Sequence, residues 1–150
     1  LQGSVWENIA RMQPVTDDRA VVRAAKLAGL HDWVMTRPTA YDTLLPAGGG
    51  NLPGGRQQQL GLARAVYGDV RLVLLDEPTA SLDTSGLDQV RRCLKRLRRA
   101  GVSVVFATHD TSLAREADYV AKLGDGQVQA LTPTAQLSKR AAPAVHATPT

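Results

Sequence analysis

Apolar residues recur along this chain with two different periods, and the periods divide it. Val21, Val22, Ala25, Leu27 and Ala28 repeat at helical spacing, which predicts a helix over 17–30 with Asp17 or Thr16 as its cap and Gly29 as its stop. A short helix is expected over 4–11, and another through Trp33 and Met35, ended before Pro38. Residues 43–55 are too rich in glycine and proline for regular structure. Residues 57–67 again read as a helix, with Leu60, Leu62, Ala63 and Val66 facing inward. Then the pattern changes. Residues 72–75 are a continuous apolar run of strand length, which suits a strand covered on both faces, as in a parallel sheet. A helix over 85–100, closed by Gly101, leads to a second buried strand at 102–107. A short helix at 111–117 precedes a hairpin of 118–123 and 127–131, turned at Gly124-Asp125-Gly126. A last short helix is expected at 134–137. There is no internal repeat.

Helices alone come first and strand–helix–strand follows. This predicts an α/β fold: a helical lobe placed before half of an α/β core. The expected division is 1–69 as the helical part, 70–137 as the core half and 138–150 as a disordered tail rich in Ala, Pro, Thr and Ser.

Composition excludes some classes. The 150 residues are 43% hydrophobic, enough for one core, and no run approaches the ~18 apolar residues of a membrane span. The opening LQGSVWENIA has no basic region and no cleavage pattern, so it is not read as a signal peptide. It lacks Met and starts in mid-element, so a fragment is expected. The single cysteine, Cys93, rules out an internal disulfide and reads as an inert helix residue, a reactive thiol being the alternative. Much of the +4 charge lies in Arg91, Arg92, Lys95, Arg96, Arg98 and Arg99, above Val90, Leu94 and Leu97. That is read as a solvated helix face. A nucleic-acid or acidic-lipid surface is the alternative, and no aromatic residue interleaves the run to favour single strands.

The chemistry gathers at the strand ends, where α/β sheets bind their ligands. Asp76 and Glu77 follow the first strand. Asp76 can hold magnesium, which takes oxygen ligands and keeps much of its water. Glu77 points differently and can orient or deprotonate a water. Taken alone, a pair of exposed carboxylates at a strand end is the readier reading. Upstream, Leu52-Pro53-Gly54-Gly55-Arg56 precedes a helix; its glycines and the helix N-terminus suit an anion. His109 follows the second strand, while His31 and His146 read as surface residues.

With the continuation PTASLD, residues 72–83 resemble the Walker B strand and D-loop of ATP-binding cassette (ABC) ATPases. The resemblance implies a P-loop NTPase-like core, partial and mostly parallel, with an inserted helical subdomain. It implies ATP and Mg²⁺, with Asp76 on the metal and Glu77 as catalytic carboxylate. Ser81, Leu82 and Asp83 fall at a dimer seam, and His109 where the family's switch histidine meets the γ-phosphate. Residues 52–56 stand at the signature, which in that family closes over ATP held by a second cassette in a head-to-tail dimer. SVWENIARM, AAKLAGLHDWVMTRPTAYDT and LARAVYGDVRLVLLDEP resemble exporter-type cassettes, nearest to type I protein-secretion permease/ATPases of bacteria; Asn8-Ile9 and Tyr41-Asp42-Thr43 are exporter-like. The partners so implied are a second cassette and an exporter's transmembrane domain, at the cytoplasmic face of the bacterial inner membrane, with no nucleic acid.

The pattern is incomplete. None of Lys26, Lys95, Lys122 and Lys139 follows a glycine, so no P-loop G-x-x-x-x-G-K-[ST] occurs, and the Q-loop glutamine is absent, Gln2 lying too late. Pro53 replaces the signature serine, Arg56 its glutamine, and Ala47 a glutamate that couples to the membrane domain. The expected function is therefore the nucleotide-binding portion of an exporter, inactive as an isolated chain. A non-catalytic ATP-dependent interaction module, or a remnant, is one alternative; a DNA-repair ATPase of the same superfamily is another.

Overall fold

Helix ends in this chain are fixed by short polar contacts that the sequence announces. The computed structural model describes residues 2–14, 17–47, 52–80 and 82–137. The first elements are β1 (Gly3–Ser4), α1 (Val5–Ile9), α2 (Asp18–Ala28) and α3 (His31–Met35), then a 3-10 turn (Ala40–Asp42), β2 (Leu44–Leu45) and α4 (Gly54–Ala65). Ser4 and Glu7 form a reciprocal capping box on α1: the Glu7 N–H donates to Ser4 Oγ at 3.0 Å, and the Ser4 N–H to Glu7 Oε2 at 2.7 Å. Asp17 caps α2 by accepting from the Arg19 N–H at 2.9 Å, and Gly29 closes it at φ 73°. The buried stripe of α2 is Ala20, Val21, Ala24, Ala25 and Ala28; Val22 and Leu27, expected inside, are half-buried. These small residues let α2 lie against both α4 and α5.

Two expectations change here. Residues 43–55 are not wholly irregular, because Leu44–Leu45 pairs antiparallel with Gly3–Ser4, Gly3 opposite Leu45. Averaging composition over a glycine-rich window hides a two-residue apolar step, which the Val5 N–H bond to Thr43 O at 3.0 Å helps to hold. The adjoining residues 48–51 lie outside the described residues. The helix expected from 57 begins at Gly54, because Pro53 sets an extended entry (φ −52°, ψ 144°) and its carbonyl accepts from the N–H groups of Arg56 and Gln57 at 2.8 and 3.1 Å. Leu60, Leu62, Ala63 and Val66 are buried, as the spacing requires.

The core half is β3 (Leu72–Asp76), α5 (Thr84–Arg99) and β4 (Ser103–Ala107). The two strands are parallel and in register from Leu72 opposite Ser103 to Asp76 opposite Ala107. Val90, Cys93, Leu94 and Leu97 bury the inner face of α5, and β3 packs against α4 with Val73 only 2% exposed. The opposite face of the sheet is bare: Leu72, Leu74 and Val105 are 54%, 68% and 60% exposed. Coverage on both faces is therefore not met among the described residues. Period 2 sends alternate side chains to opposite faces, and one face alone has a neighbour.

Beyond it come α6 (Thr111–Ala114), β5 (Tyr119–Gly124), β6 (Gln127–Pro133) and α7 (Thr134–Leu137). β5 and β6 form the expected hairpin, with a register irregularity between Lys122 and Leu123. Asp125 (φ 52°) and Gly126 (φ 73°) make the left-handed pair that a two-residue hairpin turn needs. The chain divides into two compact units, Leu1–His109 and Asp110–Thr150. The sequence division after residue 69 falls inside the first, because α2 contacts α4 and α5 alike. The tail expected at 138–150, with His146, lies outside the described residues. His31, read as a surface residue, is half-buried, its Nδ1 2.9 Å from the Tyr41 hydroxyl. Among the described residues no helix is long and apolar enough to cross a membrane.

Candidate functional site

Parallel pairing of β3 and β4 brings two chemically capable side chains to the same end of the sheet. Asp76 is the last residue of β3 and shares the bare face with Leu72 and Leu74, so its exposed carboxylate stands at the rim of that face. Glu77 is the next residue and leaves the strand. Its φ is 43°, a left-handed conformation that costs a non-glycine residue on the order of 1–3 kcal/mol and persists only where its surroundings hold it.

The surroundings do hold it. The Glu77 N–H donates to Ala107 O at 3.0 Å, extending the strand pairing by one bond. Its carbonyl accepts twice, from the Ala80 N–H at 3.0 Å and from the Gln58 side-chain amide of α4 at 2.9 Å. Its Oε1 accepts from the His109 N–H at 3.1 Å and lies 3.0 Å from His109 Nδ1. Because a carboxylate only accepts, Nδ1 carries the proton in that contact and Nε2 is left to face outward; the His109 side chain is 87% exposed. Glu77 Oε2 is the opposite case, buried and without a partner among the described residues. An unpartnered buried carboxylate oxygen is costly, so the site is built to accept a proton donor there, such as water.

The remaining sequence candidates are placed around this pair. Asp83 is the N-cap of α5, accepting from the Gly86 N–H at 2.8 Å. Leu82 is half-buried, and Ser81 lies outside the described residues. In the loop before α4, Leu52 is buried, Pro53 and Gly54 are exposed and Gly55 is half-buried; Pro53 gives α4 no side-chain cap. The first-turn N–H groups thus begin at Gly54 and Gly55, the arrangement in which a helix receives an anion. Arg56 is turned along its own helix, donating to Gln59 Oε1 at 2.7 Å. Glu77 and His109 touch, while the loop at 52–56 reaches them through Gln58. Gln58 carries little sequence signal, because a glutamine in a helix suits a solvent-facing position and stands out here only by lying one turn after Gly54.

Magnesium fits this donor set in a limited way. No group of three or more His, Cys, Asp or Glu gathers among the described residues, so no all-protein cage exists there. One exposed carboxylate, at Asp76, is instead what magnesium uses when substrate phosphates and water supply the rest.

The chain is similar to known proteins. The chain is 36% identical over 135 residues to the type I secretion system ATP-binding protein PrsD of Rhizobium meliloti (strain 1021), covering 90% of this chain and 23% of that one. It is 36% identical over 125 residues to the cyclolysin secretion/processing ATP-binding protein CyaB of Bordetella pertussis, covering 83% and 17%. A solved bacterial Atm1-family ABC exporter with ATP bound superposes with a TM-score of 0.84 at 23% identity, over 95% of this chain and 25% of that one. The chain thus spans about a quarter or less of the proteins it matches. Residues 2–80 match the family model described as ABC transporter. A family match over more than half of its 150 residues, joined to an ABC ATPase fold, establishes that the chain belongs to the ABC transporter family.

Proposed function

We propose that the chain is the C-terminal portion of the nucleotide-binding domain of an exporter, and that it acts in type I protein secretion. The observation that carries this is the pair at the strand ends: Glu77, held in a left-handed conformation with Oε1 on His109 and Oε2 buried and unpartnered. Two type I secretion proteins among its relatives support the narrower reading.

In this reading Glu77 Oε2 accepts a proton from the attacking water and so orients it. His109 fixes the carboxylate through its N–H and Nδ1 and turns Nε2 toward the γ-phosphate. Asp76 holds magnesium, which when bound supplies positive charge to the phosphate oxygens. Residues Leu52, Pro53, Gly54, Gly55 and Arg56 receive the ATP of a second cassette at the α4 N-terminus, and Asp83 lies at the seam. The functional division remains a helical part, 1–69, that presents this loop, and a core half, 70–137, that carries the carboxylates. The partners in this reading are a second cassette and the transmembrane domain of an exporter. In this reading the chain works at the cytoplasmic face of the inner membrane. The basic residues of α5 serve as a solvated face: Arg91 pairs with Asp88 at 3.3 Å, and Arg92 donates to Gln89.

Turnover needs a phosphate cradle, and these 150 residues contain no P-loop. The purified chain alone is expected to hydrolyse no ATP. Joined in frame to a segment that supplies a P-loop, it is expected to hydrolyse ATP. Glu77→Gln in the joined protein should lower that turnover by about a hundredfold or more. Turnover by the unjoined chain that Glu77→Gln abolishes would overturn the need for an outside half. Undiminished turnover in the joined Glu77→Gln protein would remove Glu77 from the reaction.

A further inference from the structure

Four partners hold Glu77 in its left-handed conformation, and three of them belong to the end of β4 and the turn after β3: Ala107 O, the Ala80 N–H and His109. The fourth is of another kind. Gln58 belongs to α4, nineteen residues upstream, and reaches across to donate to the Glu77 carbonyl at 2.9 Å. The side chain is half-buried, so water competes with this bond less than with an exposed one. The acceptor is the carbonyl of a residue whose backbone is strained and whose carboxylate has an oxygen buried and unpartnered among the described residues. Gln58 also lies one helical turn behind Gly54, so the N–H groups that open α4 and the amide that grips Glu77 are carried on one short rigid element.

We infer that Gln58 is a positioning residue: its amide holds the Glu77 backbone in the left-handed region and thereby keeps the carboxylate on His109, fixing the carboxylate relative to the anion-receiving end of α4. The value of that coupling rests on the reading of Glu77 as the catalytic carboxylate. The bond itself does not, and the test below needs no ATP, so one can fail without the other.

Site-resolved amide exchange on the full chain, followed by NMR, reads the bond directly. The reporters are the Glu77 amide, bonded to Ala107 O, and the His109 amide, bonded to Glu77 Oε1. The controls are the Leu30 and Val102 amides, bonded to Ala25 O and Leu97 O. Gln58→Met keeps the length of the side chain and removes the donor. It is expected to speed exchange at Glu77 and His109 by about five- to tenfold, the loss of one neutral hydrogen bond, with the controls unchanged. Gln58→Lys restores an N–H donor and should bring both reporters back to within about twofold of the native rate. If the Met variant does not fold, Gln58→Glu has the native length without an N–H and serves the same comparison. Unchanged reporters in the donor-free variant, equal acceleration of reporters and controls, or a Lys variant indistinguishable from Met would each overturn the proposal.

Discussion

Burial acts in opposite senses on Glu77 and Cys93. At Glu77 it leaves a carboxylate oxygen without a partner among the described residues, in a residue whose N–H, carbonyl and Oε1 are all bonded, a cost offset if something is received there. At Cys93 it silences the group. The thiol is fully buried on the inner face of α5, and burial pushes it up to about 11 from an ordinary 9.0, against the opposing pull of Arg96. Below pH 9 both folded and unfolded thiols are protonated, so the full stability is present. Between pH 9 and about 11 the unfolded chain gives up its proton first, and the folded state loses up to roughly 2–3 kcal/mol, the loss being complete above the folded value. Tyr41 is also raised by burial and acts in the same direction, so the informative quantity is a difference. Urea unfolding of the native chain and of Cys93→Ala across this window should show a steeper decline in the native protein. Parallel declines would mean that the thiol titrates normally. The inert reading of Cys93 was available from its place in an amphipathic helix. The strain at Glu77 was not, because nothing in the letters Asp-Glu-Pro specifies a positive φ.

At the scale of elements, what was legible is what depends on local chemistry. Asp17 and Gly29 bound α2, Gly101 follows α5, and Asp125-Gly126 turns the hairpin, each for a reason carried by the residue itself. What failed depended on neighbours. The start of α4 moved to Gly54 because Pro53 supplies the entry and Gly54-Gly55 tolerate the first turn, which a propensity reading of two glycines argues against. The Gln58 link was invisible because it joins residues nineteen apart through a side chain with no periodic signature. Pro53 itself gives a test. Pro53→Ser would add an N-cap hydroxyl worth about 1 kcal/mol. It would also release the unfolded chain from proline's constraint, costing about 0.4–1 kcal/mol. The two nearly cancel, so the urea stabilities of the two chains should agree within about 0.5 kcal/mol. A gain above about 1 kcal/mol would show that α4 is limited by its missing cap. An equal loss would show that the proline is what forms its first turn.

For the whole molecule, the continuous apolar run at 72–75 forms the expected strand, and the cover expected on both its faces is met on one among the described residues. Such a run records the environment a strand requires, and says nothing about which segment supplies it. Among the described residues α4 and α5 supply one side. Leu72, Leu74 and Val105 lie open on the other, on a sheet that among the described residues has two strands, both of them edges. Leaving a Leu or Val side chain exposed forgoes about 1.5–3 kcal/mol of burial, so three together give two copies a strong reason to meet. The isolated chain is expected to self-associate through this face, with a sedimentation coefficient that rises with concentration. Leu74→Lys with Val105→Lys puts two charges on the bare face without touching Val73 or the register, and should hold the chain monomeric over the same range. The double variant also separates this face from the hairpin, where Leu123, Val128 and Leu131 are exposed as well. Self-association that persists in the double variant would assign the contact to the hairpin. A native chain that stays monomeric at every concentration would show that the bare face is not adhesive, and that the run at 72–75 tolerates water better than its composition implies.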